Sequence, residues 1–98
     1  MKKLRRKKIM KLQFKNIAKL IESKRIEAKL TQKQLSTLLG YPNAQTISNI
    51  ERGYCNLPLK TALQVCSILK IDVDLMADTL KADWEAKLNN ILNNEVEL

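Results

Sequence analysis

Apolar residues fall at three- and four-residue intervals along almost the whole chain after residue 16, and nowhere do they alternate for long enough to predict a strand. Ile17, Leu20 and Ile21, extended by the stem of Lys24, form one stripe that ends near Ala28 and predicts a first helix. Thr31-Gln32-Lys33-Gln34 then has the composition of a capping box, in which the Thr31 hydroxyl and the Gln34 side chain each accept the other residue's amide hydrogen. The helix it opens should turn Leu35, Leu38 and Leu39 inward and stop at Gly40, which takes a positive φ without strain. Pro42 prevents Tyr41 from continuing a helical backbone, and Asn43 can cap the next helix. That third helix, from about Ala44 to Arg52, buries Ile47 and Ile50 and ends at Gly53.

After a loop at residues 54–57, Pro58 suits the first turn of a fourth helix that reaches about Lys70. Ala62, Leu63, Val65, Cys66 and Leu69 give it a broad apolar face, so Cys66 reads as a small buried hydrophobe. Cys55, in the loop, has no neighbouring cationic cluster that would activate it. Asp72 or Asp74 can cap a fifth helix, and fraying is expected over residues 93–98. Its apolar positions Leu75, Met76, Leu80, Trp84, Leu88, Ile91 and Leu92 run past what one small core requires. Either a long last helix lies across the domain, or Trp84, Leu88, Ile91 and Leu92 form a dimer contact.

Ninety-eight residues with 45% hydrophobic content, two Gly and two Pro make one compact helical domain, too small for a multidomain enzyme. Histidine is absent and the two cysteines are separated by ten residues, so neither a Cys/His zinc site nor a disulfide framework is expected. No stretch is apolar for long enough to span a membrane or serve as a signal peptide, and a cytoplasmic, soluble protein is expected.

The net charge of +8 sits in residues 1–15, which carry eight basic residues and no acid, among them Arg5, Arg6, Lys7 and Lys8. The rest of the chain is balanced, basic before residue 71 and acidic after it. An arm of this density displaces counterions from nucleic acid with little demand on geometry. It also suits an anionic lipid surface, or a solvated tail without a partner. The expected division is a flexible basic arm over 1–15, a helical domain over 16–80 and a helical extension over 81–98.

Two short helices joined by a tight turn, the second one rich in amides and hydroxyls, describe a helix-turn-helix. A helix fits the major groove of DNA, where Gln or Asn can address adenine and Arg can address guanine. Gln45 and Asn49, four residues apart, share one helical face and are the foremost candidates for base contact, with Thr46 and Ser48 behind them. Arg52, Lys33 and Lys60 are candidates for the DNA backbone, together with Arg5, Arg6, Lys7 and Lys8 of the arm.

The stretch LTQKQLSTLLG at 30–40 followed by TISNIERG at 46–53 resembles the Cro and phage-repressor class of helix-turn-helix proteins, also called the XRE family, from about Ile17 to Leu80. The resemblance implies an all-α, compact five-helix, lambda-repressor-like domain, here with an extended C-terminal helix. It implies that the third helix enters the major groove, as part of a dimer on an inverted-repeat operator. It assigns Gln32 to a phosphate contact, Gln45 and Asn49 to base reading, and Arg25 and Glu51 to a buried pair joining the first and third helices. The chain departs from the pattern in two places. The turn before the third helix is one residue longer than in the shortest members, and the loop after Gly53 reads Tyr-Cys-Asn-Leu-Pro-Leu where some phage repressors carry Lys or Arg.

With no catalytic constellation, an enzyme is not expected, nor a cofactor or metal. The reading is a sequence-specific transcriptional regulator, a repressor, with double-stranded DNA and a second copy of the chain as partners and no membrane partner. The alternatives are the antitoxin of a toxin–antitoxin pair, whose C-terminal helix masks a toxin protein, and a non-enzymatic adaptor.

Overall fold

A computed structural model describes residues 14–97, with side chains as far as Asn93. The arm residues assigned to the DNA backbone, Arg5, Arg6, Lys7 and Lys8, lie outside the described residues. Five helices follow one another: α1 (Lys15–Glu27), α2 (Gln32–Leu38), α3 (Gln45–Glu51), α4 (Leu59–Leu69) and α5 (Val73–Glu97). The architecture is all-α, as the periodicity predicts. α1 packs on α3 and α5, α2 on α3, and α4 on α5. Ile17 and Ile21 of α1, Leu35 and Leu39 around α2, Ile47 and Ile50 of α3, and Val65 and Leu69 of α4 meet in one core, closed by Ile71 and Met76.

The helix ends explain why the elements stop where they do. α2 opens on the capping box: the Thr31 hydroxyl accepts the Gln34 amide hydrogen at 3.0 Å, and Gln34 Oε1 accepts that of Thr31 at 2.8 Å. α2 closes with Gly40 at φ 88° and the Tyr41 amide donating to the Ser36 carbonyl. α3 closes the same way, with Gly53 at φ 81° and the Tyr54 amide donating to the Asn49 carbonyl. α1 and α4 use the same motif with lysine in the left-handed position, Lys29 at φ 61° and Lys70 at φ 57°. There the closing bonds run from Leu30 to Arg25 and from Ile71 to Cys66. Leu30 and Ile71 pack on the core, and that burial holds the strained lysine backbone in place.

Several positions differ from the sequence pattern. Leu38 and Leu63, expected inward, are exposed, because the two-turn α2 buries only Leu35, Ser36 and the following Leu39, and α4 turns Thr61, Ala62, Val65, Cys66 and Leu69 inward instead. Phe14, grouped with the arm by its basic neighbours, is a core residue, and its amide donates to the Gly53 carbonyl at 3.1 Å. α5 includes residues 93–97, within the stretch where the sequence predicts fraying. Burial raises the thiol pKa of both Cys66 and Cys55, with the nearby Asp72 carboxylate adding to the effect at Cys66, so neither is poised as a thiolate.

One long-range contact is concealed from any reading of periodicity. Asp83, in the middle of α5 and only 2% exposed, accepts the amide hydrogens of Asn16 at 3.0 Å and Ile17 at 2.8 Å. It caps α1 from 67 residues away, satisfying amides that no residue at the start of α1 reaches. Beside it, the rings of Phe14 and Trp84 meet edge to face at 5.3 Å, and Lys87 Nζ lies 4.8 Å from the Phe14 ring centroid. Replacing Asp83 with Ala should cost about 1.5–3 kcal/mol, the worth of hydrogen bonds to a charged acceptor, read as a shift of the urea midpoint. Asn at this position should recover part of the loss by accepting one amide, whereas equal midpoints for wild type and D83A would contradict the cap.

Candidate nucleic-acid interface

α3 is seven residues long, about 10 Å, and cannot hold a helical conformation alone. Asn43 Oδ1 accepts the Gln45 amide hydrogen at 2.9 Å and thereby seeds its first turn, which starts one residue later than the sequence predicts. Ile47 and Ile50, both fully buried, fix its rotation. The outward positions are then determined: Gln45 and Arg52 are exposed, and Thr46, Ser48 and Asn49 are half-buried.

The orientation of α3 is secured by a buried charge. The Glu51 side chain is 4% exposed and that of Arg25 12%. Arg25 Nε donates to Glu51 Oε2 at 2.6 Å and Nη2 to Oε1 at 3.1 Å, the paired geometry that only a guanidinium supplies. Arg25 Nη1 donates to the Leu30 carbonyl at 2.8 Å, and Gln32 Nε2 donates to Glu51 Oε1 at 2.9 Å. One carboxylate thus draws together α1, the first residue of α2 and the last of α3. The hydrogen bond with Glu51 raises the Arg25 pKa; burial opposes the shift, and the charges of Glu51 and Glu22 assist it. The stabilisation that this shift represents is in place below the ordinary arginine pKa, where Arg25 is charged, and is lost as the pH rises through the raised value.

On the outer face Gln45 Nε2 donates to Asn49 Oδ1 at 2.9 Å. The two amides form a unit in which one Gln45 amide hydrogen is engaged, and Gln45 Nε2 carries a second. Gln32, assigned to phosphate, has one amide hydrogen directed into the Glu51 network, so its side chain is tied to the frame. Lys33 at the start of α2 and Lys60 at the start of α4 are exposed. Trp84, Leu88 and Leu92 are exposed along α5, with Ile91 half-buried, and Trp84 remains 53% exposed despite its contact with Phe14. Among the described residues no group of Cys, Asp and Glu is placed to hold a metal ion, and no helix is long and apolar enough to cross a membrane.

Two features of this surface have no sequence signal of the usual kind. Tyr54 lies under Arg52, whose guanidinium carbon is 5.9 Å from the ring centroid, and it enters a sequence reading only as a loop residue. Phe14 joins Gly53 by its backbone, which brings the root of the arm to the end of α3.

Two short helices set across a tight turn, the second held by a buried ion pair and presenting amides outward, define a helix-turn-helix domain, a fold whose role is DNA-binding regulation. The helix-turn-helix family model matches residues 21–76, more than half of the chain, and the chain belongs to that family. No curated protein and no solved structure matches it.

Cutting either side chain of the buried pair leaves the other charge without its partner. R25A and E51A should each lose more than the roughly 0.2–1 kcal/mol of an exposed pair, toward the roughly 3–5 kcal/mol of a buried one. R25K should not restore the loss, because an ammonium cannot span both carboxylate oxygens and the Leu30 carbonyl together. Equilibrium denaturation measures all three, and losses indistinguishable from zero would return both residues to solvated surface.

Proposed function

We propose that this protein is a sequence-specific regulator of transcription, a repressor of the XRE class, that reads an inverted-repeat operator through the major groove of double-stranded DNA. The observation that carries the proposal is the Gln45–Asn49 amide pair on the outward face of a short helix whose pose is held by the Arg25–Glu51–Gln32 network. Adenine presents N7 as acceptor and N6 as donor, which a Gln side chain matches with one oxygen and one hydrogen, and the Asn49 bond engages only one of the two Gln45 amide hydrogens. Thr46 and Ser48 flank that edge, while Lys33, Arg52 and Lys60 supply backbone contacts. The arm leaves the domain at the Phe14–Gly53 bond, next to the end of α3, which favours its contact with phosphates beside the groove that α3 occupies.

Replacing Gln45 or Asn49 with Ala should remove about 1–3 kcal/mol of discrimination at particular base pairs and leave non-specific binding nearly unchanged. Deleting residues 1–11 should weaken specific and scrambled duplexes alike and flatten the dependence of log K on log salt, by about 0.9 for each phosphate that the arm had neutralised. Binding to selected and scrambled duplexes at several salt concentrations measures both. An unchanged specificity ratio in Q45A and N49A would remove the reading surface.

The stripe of exposed Trp84, Leu88 and Leu92 with half-buried Ile91 suits a second copy, which would set two α3 helices one DNA turn, about 34–36 Å, apart. Cutting the chain at residue 80 is a poor test of this, because it also removes Asp83 from α1. Leu88→Asp and Leu92→Asp alter the stripe alone. Sedimentation should give about twice 11.3 kDa for wild type and a monomer for the charged variants. A wild-type monomer at tens of micromolar, bound to DNA as one copy per site, would overturn the dimer; in the antitoxin reading, the stripe then faces a toxin.

A further inference from the structure

The loop after α3 has no basic residue between Gly53 and Lys60, yet it adjoins the surface proposed to meet the DNA backbone. Three observations converge on Tyr54. Its backbone is pinned: Gly53 at φ 81° closes α3, the Gly53 amide donates to the Ile50 carbonyl and the Tyr54 amide to the Asn49 carbonyl, both at 2.9 Å. The residue is 62% exposed, so its ring is not accounted for by the core. The Arg52 guanidinium carbon lies over that ring, 5.9 Å from the centroid. Arg52 is exposed and forms no ion pair among the described residues, so its N–H donors are not committed to an acid.

We infer that Tyr54 is a positioning residue for the DNA-backbone contact: its ring holds the Arg52 guanidinium at the end of α3, where the charge meets a phosphodiester. The inference rests on the DNA-binding reading above. The physical reason is preorganisation. An arginine on a solvated helix end samples many rotamers, and one kept over an aromatic face loses less freedom when its fork of donors engages two phosphate oxygens. Because Tyr54 is tied to Asn49 through the backbone, the guanidinium is referenced to the same residue that orients Gln45. The carbonyl between them, on Gly53, receives the Phe14 amide, so the arm starts beside the same point. The ring thus lets a loop without lysine or arginine contribute to charge placement.

The phosphate contact is independent of sequence, so a duplex of arbitrary sequence, about 30 base pairs long, is a sufficient probe. Its affinity for the full chain is measured over a range of salt concentrations for wild type, Y54F, Y54A, R52A and the R52A/Y54A double variant. R52A should lower the salt slope by about 0.9, one phosphate contact. Y54A should weaken binding about two- to fivefold, the scale of an exposed cation–π contact, and reduce the slope in the same direction. Y54F keeps the ring and should bind as wild type. In the R52A background, Y54A should cost nothing further. Thermal unfolding should be alike for all variants, as both side chains are exposed. The inference is overturned if Y54A binds as wild type, if Y54F loses as much as Y54A, or if the losses of Y54A and R52A add in full. Failure of wild type to bind any duplex is a separate result, which removes the DNA-binding reading itself.

Discussion

A carboxylate buried in a small protein has to find a donor for nearly every lone pair, and Glu51 meets that demand by recruiting three separate parts of the chain. Arg25 comes from α1, Gln32 from the start of α2, and Glu51 itself ends α3. The arginine's remaining donor reaches the Leu30 carbonyl in the turn between α1 and α2. Apolar packing alone would let a seven-residue helix slide or roll by a fraction of a turn at small cost. The directional bonds to Glu51 remove that freedom, and the pose of the outward amides follows from them.

The distribution of work on α3 reflects this. Its inward residues, Ile47 and Ile50, provide burial without direction, whereas Glu51 provides direction without much burial energy. Ser36, fully buried on α2 with a hydroxyl that bonds to no other side chain or backbone group, keeps a small residue in the α2 core row. Gln45 and Asn49 consequently carry neither of these duties.

Local signals make much of this fold legible. Thr31 with Gln34, Gly40 and Gly53 act within a few residues of themselves, and each is found in the role its chemistry predicts, while Asn43 accepts the Gln45 amide from one position before the N-cap residue Ala44. The ends of α1 and α4 are visible only approximately, because a lysine in the left-handed region has no compositional mark; tertiary burial of Leu30 and Ile71 puts it there. Phe14 is hidden because its basic neighbours outweigh one ring in any local average. Asp83 is unreadable for a different reason. It occupies an inward position of α5, in step with Met76 and Leu80, where an acid looks like an interruption of the stripe, and its partners lie at the other end of the chain. At the interface, the residue types on α3 can be named from spacing, but the Gln45–Asn49 bond and the placement of Arg52 over Tyr54 are matters of rotamer and turn geometry.

The Asp83 cap also bears on the order in which the chain can fold as it is made. α1 is synthesised first, yet the carboxylate that satisfies its opening amides follows Ile17 by 66 residues. At about 5–20 residues per second, that is roughly 3–13 s of translation during which α1 lacks its cap. The helix-turn-helix segment proper, ending near residue 76, is complete before Asp83 has been added. The growing chain therefore passes through an interval in which α2 and α3 are available to pair while the start of α1 is still uncapped. Closure of the domain waits for the helix that comes last.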